Sequence, residues 1–366
     1  MQNSNTPAPL RVGIIGLGWS GKTQLEAYTK IPGVTVVALA DPRQERLQEL
    51  NALHPVDTLY TDFRDLLAHD DIDIVNVATP NHLHAPISIA ALESGKHVIC
   101  EKPLARNSIE GGQMVQAAIA NQRALDVTFS HRQRGDVQVL KHIIDEGRLG
   151  KIYHAKASWM RRNGIPGMGG WFTTHELAGG GPLIDLGVHV LDMALYLMGE
   201  PEVLSVSAAT YSELGPRGRG ARRAAVGTAA YDVEDLATAF IRLGDGRTLL
   251  LEASWATYSK VSDEFGVALY GSDGGADIHI KDYVWQDTLR IYTDVGGVPA
   301  DIAPQVKRGK GHLGVLQNFV ALIRSGDWTD HVGREALVRT QIIDACYQSA
   351  REGREIRLSE LQTPVT

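Results

Sequence analysis

Two patterns of apolar residues alternate over the first third of the chain. Short β-branched runs at residues 12–15, 34–40, 72–78, 97–100 and 125–129 predict strands, and stretches of helical period at 22–30, 44–53, 63–68, 86–93 and 108–121 predict helices between them. Strands and helices that alternate in this way form a parallel sheet with helices on both faces. The pattern therefore predicts a doubly wound α/β domain over residues 11–130, after a disordered tail at residues 1–10.

The pattern of apolar residues changes in the rest of the chain, where most predicted strands follow one another without a helix between them. After a helical stretch at 137–146, strands are predicted at 152–160, 203–211, 236–243, 248–256, 264–271, 276–280 and 289–293, and helices at 312–324 and 335–351. Asp245-Gly246 between two strands is a hairpin signal, whereas the Gly- and Arg-rich segment 215–227 is typical of a surface loop. Residues 131–366 are therefore predicted to form an α+β domain, an open and mostly antiparallel sheet with helices on one face.

Length, charge and cysteine content exclude several classes of protein. A chain of 366 residues is long enough for about two domains. Its 36 basic and 43 acidic residues give a net charge of −7, so we expect neither nucleic acid nor an anionic membrane as a partner. No apolar run approaches the roughly 20 residues of a membrane helix. Two cysteines and no signal-like N-terminus indicate a soluble cytoplasmic protein.

A glycine motif lies where the first strand turns into the first helix. Gly16-x-Gly18-x-x-Gly21 follows the run 12–15, and Trp19 and Ser20 begin the helical stretch. A tight turn, close packing of helix on strand and close approach to a pyrophosphate each exclude a Cβ, and the helix N-terminus offers free N–H groups to the phosphates. These five residues are predicted to bind a dinucleotide, and the alternative is a glycine-rich turn without a ligand.

Asp41 refines this prediction. It follows Gly21 by twenty residues at the end of the second strand, where a dinucleotide fold places the carboxylate that bonds the adenosine ribose. A 2′-phosphate would meet like charge there, which favours NAD. Arg43 lies close enough to hold such a phosphate, so NADP stays open. In the alternative interpretation, Asp41 caps the helix that starts at Pro42.

Polar residues also follow the third and fourth predicted strands. Ligands on open α/β sheets collect beyond the carboxyl ends of the strands, so these residues are further predicted cofactor contacts. They are Thr79, Pro80, Asn81, His84, Glu101 and Lys102. His82 and His84 lack a nearby Cys or acidic pair, and no metal site is predicted. For Glu101 and Lys102 the alternative is a solvated ion pair before a turn.

Three polar residues interrupt an apolar segment in the second half. Asp185 and His189 are four residues apart, and thus on one helix face, and Asp192 follows three later. Polar groups on an apolar face are paired or functional. In the alternative interpretation, Asp185 lies in the first turn and interacts favourably with the helix dipole, and His189 is a buried core histidine. A nicotinamide enzyme that oxidises an alcohol nevertheless needs a proton acceptor, and histidine supplies one near neutral pH.

Four motifs together carry a resemblance to a known family. They are Gly16-x-Gly18-x-x-Gly21, Pro80-Asn81-x-x-His84, Glu101-Lys102-Pro103 and Asp185-x-x-x-His189, in that order. Over nearly its whole length the chain resembles the glucose–fructose oxidoreductase / inositol dehydrogenase / MocA (Gfo/Idh/MocA) family. The resemblance implies a Rossmann first domain and a catalytic set of Lys102, Asp185 and His189. It also implies a homodimer or homotetramer that forms through the open face of the second sheet.

The substrate is expected to be a carbohydrate. Arg161 and Trp171 lie in a segment rich in aromatic and guanidinium groups, which suit sugar rings and vicinal hydroxyls. They join Lys102, Asp185 and His189 as predicted substrate contacts, and His131 and Arg132, just after the last strand of the first domain, complete the set. The segment resembles family members that act on pyranosides or anhydrosugars, often at the 3-hydroxyl.

The working hypothesis is an NAD-dependent sugar or polyol dehydrogenase. His189 would take the hydroxyl proton, Lys102 would favour the alkoxide, and Asp185 would orient the imidazole or bind a neighbouring hydroxyl. Inositol dehydrogenase and anhydrofructose-type reductase are alternatives within this class. Outside it, NAD-assisted glycosidic cleavage and a non-catalytic sugar or dinucleotide sensor remain open.

Overall fold

The computed structural model describes residues 8–221, 231–260 and 262–361. The strands are β1 (Leu10–Ile15), β2 (Val34–Ala40), β3 (Thr58–Tyr60), β4 (Ile74–Val77), β5 (His97–Cys100), β6 (Leu125–Val127), β7 (Ile152–Arg161), β8 (Val203–Tyr211), β9 (Leu236–Leu243), β10 (Thr248–Ser254), β11 (Asp263–Gly271), β12 (Gly275–Lys281), β13 (Leu289–Val295), β14 (Val298–Ile302) and β15 (Ile356–Arg357). The helices are α1 (Trp19–Tyr28), α2 (Gln44–Leu53), α3 (Phe63–Leu67), α4 (His84–Glu93), α5 (Ser108–Ala120), α6 (Gly135–Asp145), α7 (His175–Ala178), α8 (Val188–Leu197), α9 (His312–Ser325) and α10 (Arg334–Glu352).

Two predicted segments fall partly outside the described residues. Residues 1–7 of the predicted tail are not described, and β1 already begins at Leu10. The predicted loop 215–227 is described only as far as residue 221. Within the described part of the chain, no helix is long and apolar enough to cross a membrane.

The first sheet has the strand order β3-β2-β1-β4-β5-β6, and its paired strands run parallel. Every residue of β4 and β5 is buried, as expected for strands covered by helices on both faces. The predicted doubly wound architecture is confirmed. Strand β3 was not predicted, because its three half-buried residues are too few to show a pattern.

The second sheet has the order β14-β13-β12-β11-β7-β10-β9-β8-β15. Its paired strands are antiparallel except for β7 and β10, which confirms a mostly antiparallel sheet. The predicted hairpin joins β9 to β10, with positive φ at Asp245 (59°) and Gly246 (74°). Strands β14 and β15 were not predicted.

Helix α9 returns the chain to the first sheet. Its apolar face, including Leu316 and Phe319, shares a core with Leu25 and Tyr28 of α1. Beyond α9, the Leu125 N–H of β6 donates to the carbonyl of His331 over 2.9 Å. We therefore propose that residues 312–332 belong to the same structural unit as the first sheet. The sequence pattern places them in the domain predicted over residues 131–366. This packing brings the start of α9 beside the glycine turn.

A buried ion cluster joins α8 to α10. Arg339 is almost fully buried and donates from Nε to Asp192 Oδ1 over 3.0 Å and from its terminal nitrogens to Glu200. Arg132 also binds Asp192, and it reaches Glu335 over 3.0 Å. Buried charges of this kind are tolerated only when they are paired. The third polar residue of the 185–192 segment therefore holds helices together.

Candidate active site

The glycine turn has the geometry that a dinucleotide pyrophosphate requires. Gly16 has φ +89°, and a Cβ there would lie 2.5 Å from the Ala78 carbonyl oxygen. A Cβ on Gly21 would lie 2.0 Å from the Gly16 carbonyl oxygen. A Cβ on Gly18 would meet no atom within 4 Å. Gly16 and Gly21 therefore allow close packing of the backbone, and Gly18 borders an open space.

Helix α1 starts directly behind this space. Gly18 is its N-cap and supplies no side-chain hydrogen bond, so the first N–H groups, from Trp19 onward, are free to bind an anion. The hydroxyl of Thr79, close to Gly16, is buried and has no hydrogen-bond partner among the described residues. An open space, free N–H groups and an unpartnered hydroxyl fit a bound dinucleotide.

Asp41 and Arg43 form one unit at the end of β2. Asp41 accepts from the Leu17 N–H over 2.8 Å and from Nε of Arg43 over 2.9 Å. Burial alone would raise the pKa of Asp41, but hydrogen bonds from Arg43 and Leu17 outweigh it and hold this pKa below its usual value. The carboxylate is therefore charged, and the largely exposed Arg43 side chain covers it. A 2′-phosphate would have to approach this anion, which fits NAD better than NADP.

Asn81 and His84 are held by protein atoms rather than left open to a ligand. Asn81 Nδ2 donates to the Ala178 carbonyl over 2.8 Å. The two ring nitrogens of His84 each lie 2.8 Å from a carbonyl oxygen, of Pro103 and of Thr79. Both side chains therefore join loops around the strand end. The cofactor contacts predicted for Asn81, His84, Thr79 and Pro80 stay predictions.

Glu101 and Lys102 point in different directions from the end of β5. Glu101 is buried, accepts from the Gln24 amide and from the Lys102 N–H, and pairs with His312 Nε2 over 3.4 Å. Burial would raise the pKa of Glu101, but the bond and charge of His312 hold it below its usual value. Glu101 thus ties α1 and α9 to the strand end, and the Lys102–Pro103 peptide is cis.

Lys102 reaches the second half of the chain. Its Nζ lies 2.8 Å from Asp185 Oδ1 and 3.2 Å from the Asp185 carbonyl oxygen. The other carboxylate oxygen accepts from Trp255 Nε1 over 2.9 Å. Burial would raise the pKa of Asp185, but the Lys102 charge and these hydrogen bonds hold it below its usual value. The pair is thus a charged contact between the two sheets.

Three glycines allow the segment before Asp185 to pass close to its neighbours. A Cβ on Gly180 would lie 2.0 Å from the Tyr347 hydroxyl, and one on Gly181 would lie 2.1 Å from the Glu234 carbonyl oxygen. Gly179 has φ +85° and ends α7. Asp185 follows in a π-helical turn, Leu183–Gly187, that runs into α8. A π turn inside a helix is frequent at functional sites.

Glu234 holds this segment in place. Its buried carboxylate accepts from the N–H groups of Gly181 and Leu183 over 2.9 and 3.0 Å and from the Tyr347 hydroxyl over 2.9 Å. The sequence analysis missed Glu234, and also Trp255. Both act through bonds to residues at least fifty positions away, which no local pattern reports.

His189 and His131 lie side by side next to the Lys102–Asp185 pair. Their ring centroids are 4.6 Å apart, and each has a buried Nδ1 without a partner among the described residues. Burial, with the charge of Lys102, lowers the pKa of His189 well below its usual value. Burial, with the charge of Arg134, lowers the pKa of His131 to about 3. Both imidazoles are therefore neutral, and the Asp185 carboxylate binds Lys102 and Trp255 rather than His189.

Aromatic rings form the wall behind the two histidines. His131 stacks on Phe265 at 5.2 Å and on Trp159 at 5.5 Å. Arg161 donates to Asp263 and, over 2.8 Å, to the Tyr283 hydroxyl. Tyr283 has φ +58°, and with Asp282 at φ +48° it forms a left-handed turn between β12 and β13, a conformation that costs energy for a large side chain. Phe265 and Tyr283 were not predicted from the sequence.

Two predicted substrate contacts have partners outside this cluster. Arg132 donates to Asp192 and Glu335 in the buried ion cluster. Trp171 stacks on Phe172, whose ring lies 6.5 Å from that of Trp255. Substrate contact by either side chain stays a prediction. Among the described residues, no group of three His, Cys, Asp or Glu side chains is arranged to hold a metal ion.

Comparisons with known proteins agree with this geometry. Residues 10–129 match the family described as "Oxidoreductase family, NAD-binding Rossmann fold", and residues 137–277 match the "GFO/IDH/MocA C-terminal domain". The D-glucoside 3-dehydrogenase of Escherichia coli (strain K12) is 32% identical over 360 residues, which cover 98% of this chain and 100% of that protein. The levoglucosan dehydrogenase of Pseudarthrobacter phenanthrenivorans is 31% identical over 300 residues, 77% of this chain and 76% of that protein. A solved structure of levoglucosan dehydrogenase in complex with NADH and levoglucosan has a TM-score of 0.82 and 26% identity, covering 96% of this chain and 100% of that one.

The glycine turn yields a prediction that separates binding from folding. Gly18→Ala adds a methyl group to the open space, so we expect an unchanged melting temperature and about tenfold weaker NAD binding, about 1.4 kcal/mol. Gly21→Ala places its Cβ against the Gly16 carbonyl and should lower the melting temperature itself. Calorimetric titration with NAD and thermal unfolding measure the two effects. Equal NAD affinity in wild type and Gly18→Ala would contradict the assignment.

Proposed function

The chain belongs to the Gfo/Idh/MocA oxidoreductase family, and we propose that it oxidises the 3-hydroxyl of a glycoside or anhydrosugar. It is an NAD-dependent oxidoreductase of sugars or polyols. Its similarity over nearly its whole length to a D-glucoside 3-dehydrogenase supports the finer assignment. The observation that carries the mechanism is the Lys102–Asp185 ion pair beside His189. Its lysine lies just after β5, a strand of the dinucleotide-binding sheet.

Lys102 is suited to favour loss of the hydroxyl proton. Its ammonium group is fixed by two contacts with Asp185, at 2.8 and 3.2 Å, and needs no rearrangement during reaction. A fixed positive charge in a site shielded from water stabilises a developing alkoxide more than the neutral alcohol. The nicotinamide of a dinucleotide bound at the glycine turn would supply the acceptor for the hydride that leaves the carbon bearing this hydroxyl. Lys102 then also polarises the carbonyl oxygen of the ketone product.

His189 is suited to take the proton. Its imidazole is neutral because burial and the charge of Lys102 lower its pKa, and only the neutral ring can accept a proton. Its position next to His131 and the aromatic wall excludes water from one side. Asp185 holds Lys102 and is positioned in turn by Trp255 and by the bonds of Glu234 to the segment before it.

The activity can be tested by following the absorbance of reduced nicotinamide with methyl glucosides, levoglucosan and inositols. We expect net accumulation with glycosides or the anhydrosugar, and Lys102→Met should lower kcat/KM about 10²–10⁴-fold while NAD affinity persists. Lys151→Met, at an exposed lysine of the second sheet, is the matched control. Near-normal turnover by Lys102→Met would refute the role of Lys102. Consumption of glycoside without net nicotinamide reduction would indicate cleavage by transient oxidation instead.

The pH dependence tests the role of His189. Because its pKa lies well below the usual 6.5, the neutral ring should persist as pH falls through 6.5, and kcat/KM should lose no activity there. Protonation, and loss of activity, should begin only at lower pH. His189→Ala should lower the alkaline plateau about 10²–10⁴-fold. A wild-type inflection near pH 6.5, or an unchanged plateau in the variant, would contradict this role.

We also propose that the chain self-associates through the outer face of its second sheet. Phe240, Leu250 and Lys156 lie side by side on β9, β10 and β7, and Leu250 is an exposed apolar residue there. Exposed apolar area on a sheet face is typical of an interface. Light scattering of the wild type should give the molar mass of a dimer or tetramer, and the Leu250→Lys variant should have a lower molar mass. Leu53→Lys, at an exposed leucine of α2, is the control, and a monomeric wild type would refute the proposal.

A further inference from the structure

A groove leads outward from the catalytic cluster. It has a volume of about 410 Å³, and its inner end is formed by His131 and Phe265, which stack on each other. One wall is a face of α1 that carries Trp19, Thr23 and Glu26, spaced three or four residues apart, and continues to Lys30. We name this space the basic groove, because the opposite wall is the loop that carries Arg308 and Lys310.

Three cations of the basic groove, Lys30, Arg308 and Lys310, have no acidic partner among the described residues. Among the described residues, no carboxylate oxygen lies within 4.0 Å of the side-chain nitrogens of Lys30, Arg308 or Lys310. Lys310 Nζ donates to the Gln317 amide oxygen, at 3.0 Å. Glu26 is the only acidic side chain among the described residues that line the groove, and it faces Lys22 at 3.9 Å. The groove therefore has an excess of positive charge.

The loop that carries two of these cations is fixed to the protein. A Cβ on Gly309 would lie 2.0 Å from the Gln133 carbonyl oxygen, and one on Gly135 would lie 1.8 Å from the Lys307 carbonyl oxygen. The Lys310 N–H donates to the Gln133 carbonyl over 2.9 Å. Two glycines are thus required for the loop to lie this close to the segment after β6. The backbone that carries Arg308 and Lys310 is therefore held at the groove by packing.

An aromatic ring completes the groove. The guanidinium carbons of Arg134 and Arg308 lie 4.2 and 5.1 Å from the centroid of Trp285. Arg134 is buried and paired with Asp136 through two hydrogen bonds, of 3.0 and 2.6 Å, so its charge is already balanced. Arg134 therefore supports Trp285, whereas Lys30, Arg308 and Lys310 are the charges available to a ligand.

Lys30 is separated from the dinucleotide pyrophosphate by the length of α1. The pyrophosphate would lie at the N-terminus of this helix, near Trp19, whereas Lys30 follows its other end. Ten residues of α-helix span about 15 Å, which is longer than a pyrophosphate. The inner end of the groove adjoins His189, where the reacting hydroxyl would lie, so the groove is placed to hold another part of the substrate.

We propose that the basic groove binds a phosphate group joined to the sugar that is oxidised. This inference rests on the proposed function, because it assumes a sugar at the inner end of the groove. Two lysines and one free guanidinium can neutralise a phosphate, and lysine and arginine are its usual partners. Glycosyl phosphates and nucleoside diphosphate sugars share this chemistry.

The test compares substrates and variants of the full chain with NAD. Glucose 1-phosphate, UDP-glucose, methyl α-glucoside and phenyl glucoside are each assayed for kcat/KM, and glucose 1-phosphate binding is measured by calorimetry. We expect a phosphorylated substrate to exceed methyl α-glucoside by about tenfold or more. The double variant Arg308→Ala, Lys310→Ala should lower this ratio, and glucose 1-phosphate affinity, by a similar factor. Arg290→Ala, at an exposed arginine of β13, should change neither.

The outcomes separate the two proposals. A higher kcat/KM for UDP-glucose than for glucose 1-phosphate would support a nucleoside diphosphate sugar as the source of the phosphate. Equal kcat/KM values would support a glycosyl phosphate. Equal efficiency with phosphorylated and neutral glucosides, unchanged in the double variant, would overturn the phosphate site while the dehydrogenase assignment stands. Phenyl glucoside preferred over every phosphorylated sugar would also overturn it. Binding of glucose 1-phosphate that depends on Arg308 and Lys310, without nicotinamide reduction by any sugar, would instead overturn the proposed function.

Discussion

The ion pair between Lys102 and Asp185 is the contact on which the rest of the site depends. It joins the end of a strand in the first sheet to the helix that packs on the second sheet. Burial of two charges costs several kcal/mol per ion unless each is paired and hydrogen-bonded, and here Trp255 supplies the remaining bond. The same positive charge helps to keep His189 neutral. One contact therefore joins the two sheets and holds the Lys102 side chain beside His189.

Much of the remaining structure keeps this contact in place. Gly180 and Gly181 let the segment before Asp185 pass against Tyr347 and Glu234, and Glu234 binds N–H groups in this segment. On the other side of the pair, Glu101 anchors the strand end to α1 and α9 through Gln24 and His312. The return of α9 to the first sheet thus has a chemical consequence, because it brings His312 to the residue adjacent to Lys102.

Sequence reasoning succeeded where local physics decides the outcome. The apolar rhythm predicted both sheets, and the glycine motif predicted a turn in which Gly16 and Gly21 have no room for a Cβ. It was less successful where a side chain binds a residue far along the chain. Asn81 binds a carbonyl 97 residues away, and Arg132 binds Asp192, 60 residues away, and neither partner could be predicted from the sequence. Trp255 and Glu234 were missed for the same reason, because periodicity carries no information about such pairs.

A double-mutant cycle on kcat/KM for glycoside oxidation tests the central claim that Lys102 and Asp185 act as one unit. Lys102→Met, Asp185→Asn and the double variant are compared at saturating NAD, with NAD affinity and melting temperature measured for each. If the pair is a unit, the double variant loses about as much activity as the more damaging single change. A loss in the double variant equal to the product of the two single losses would show that the two residues act independently and would contradict this account.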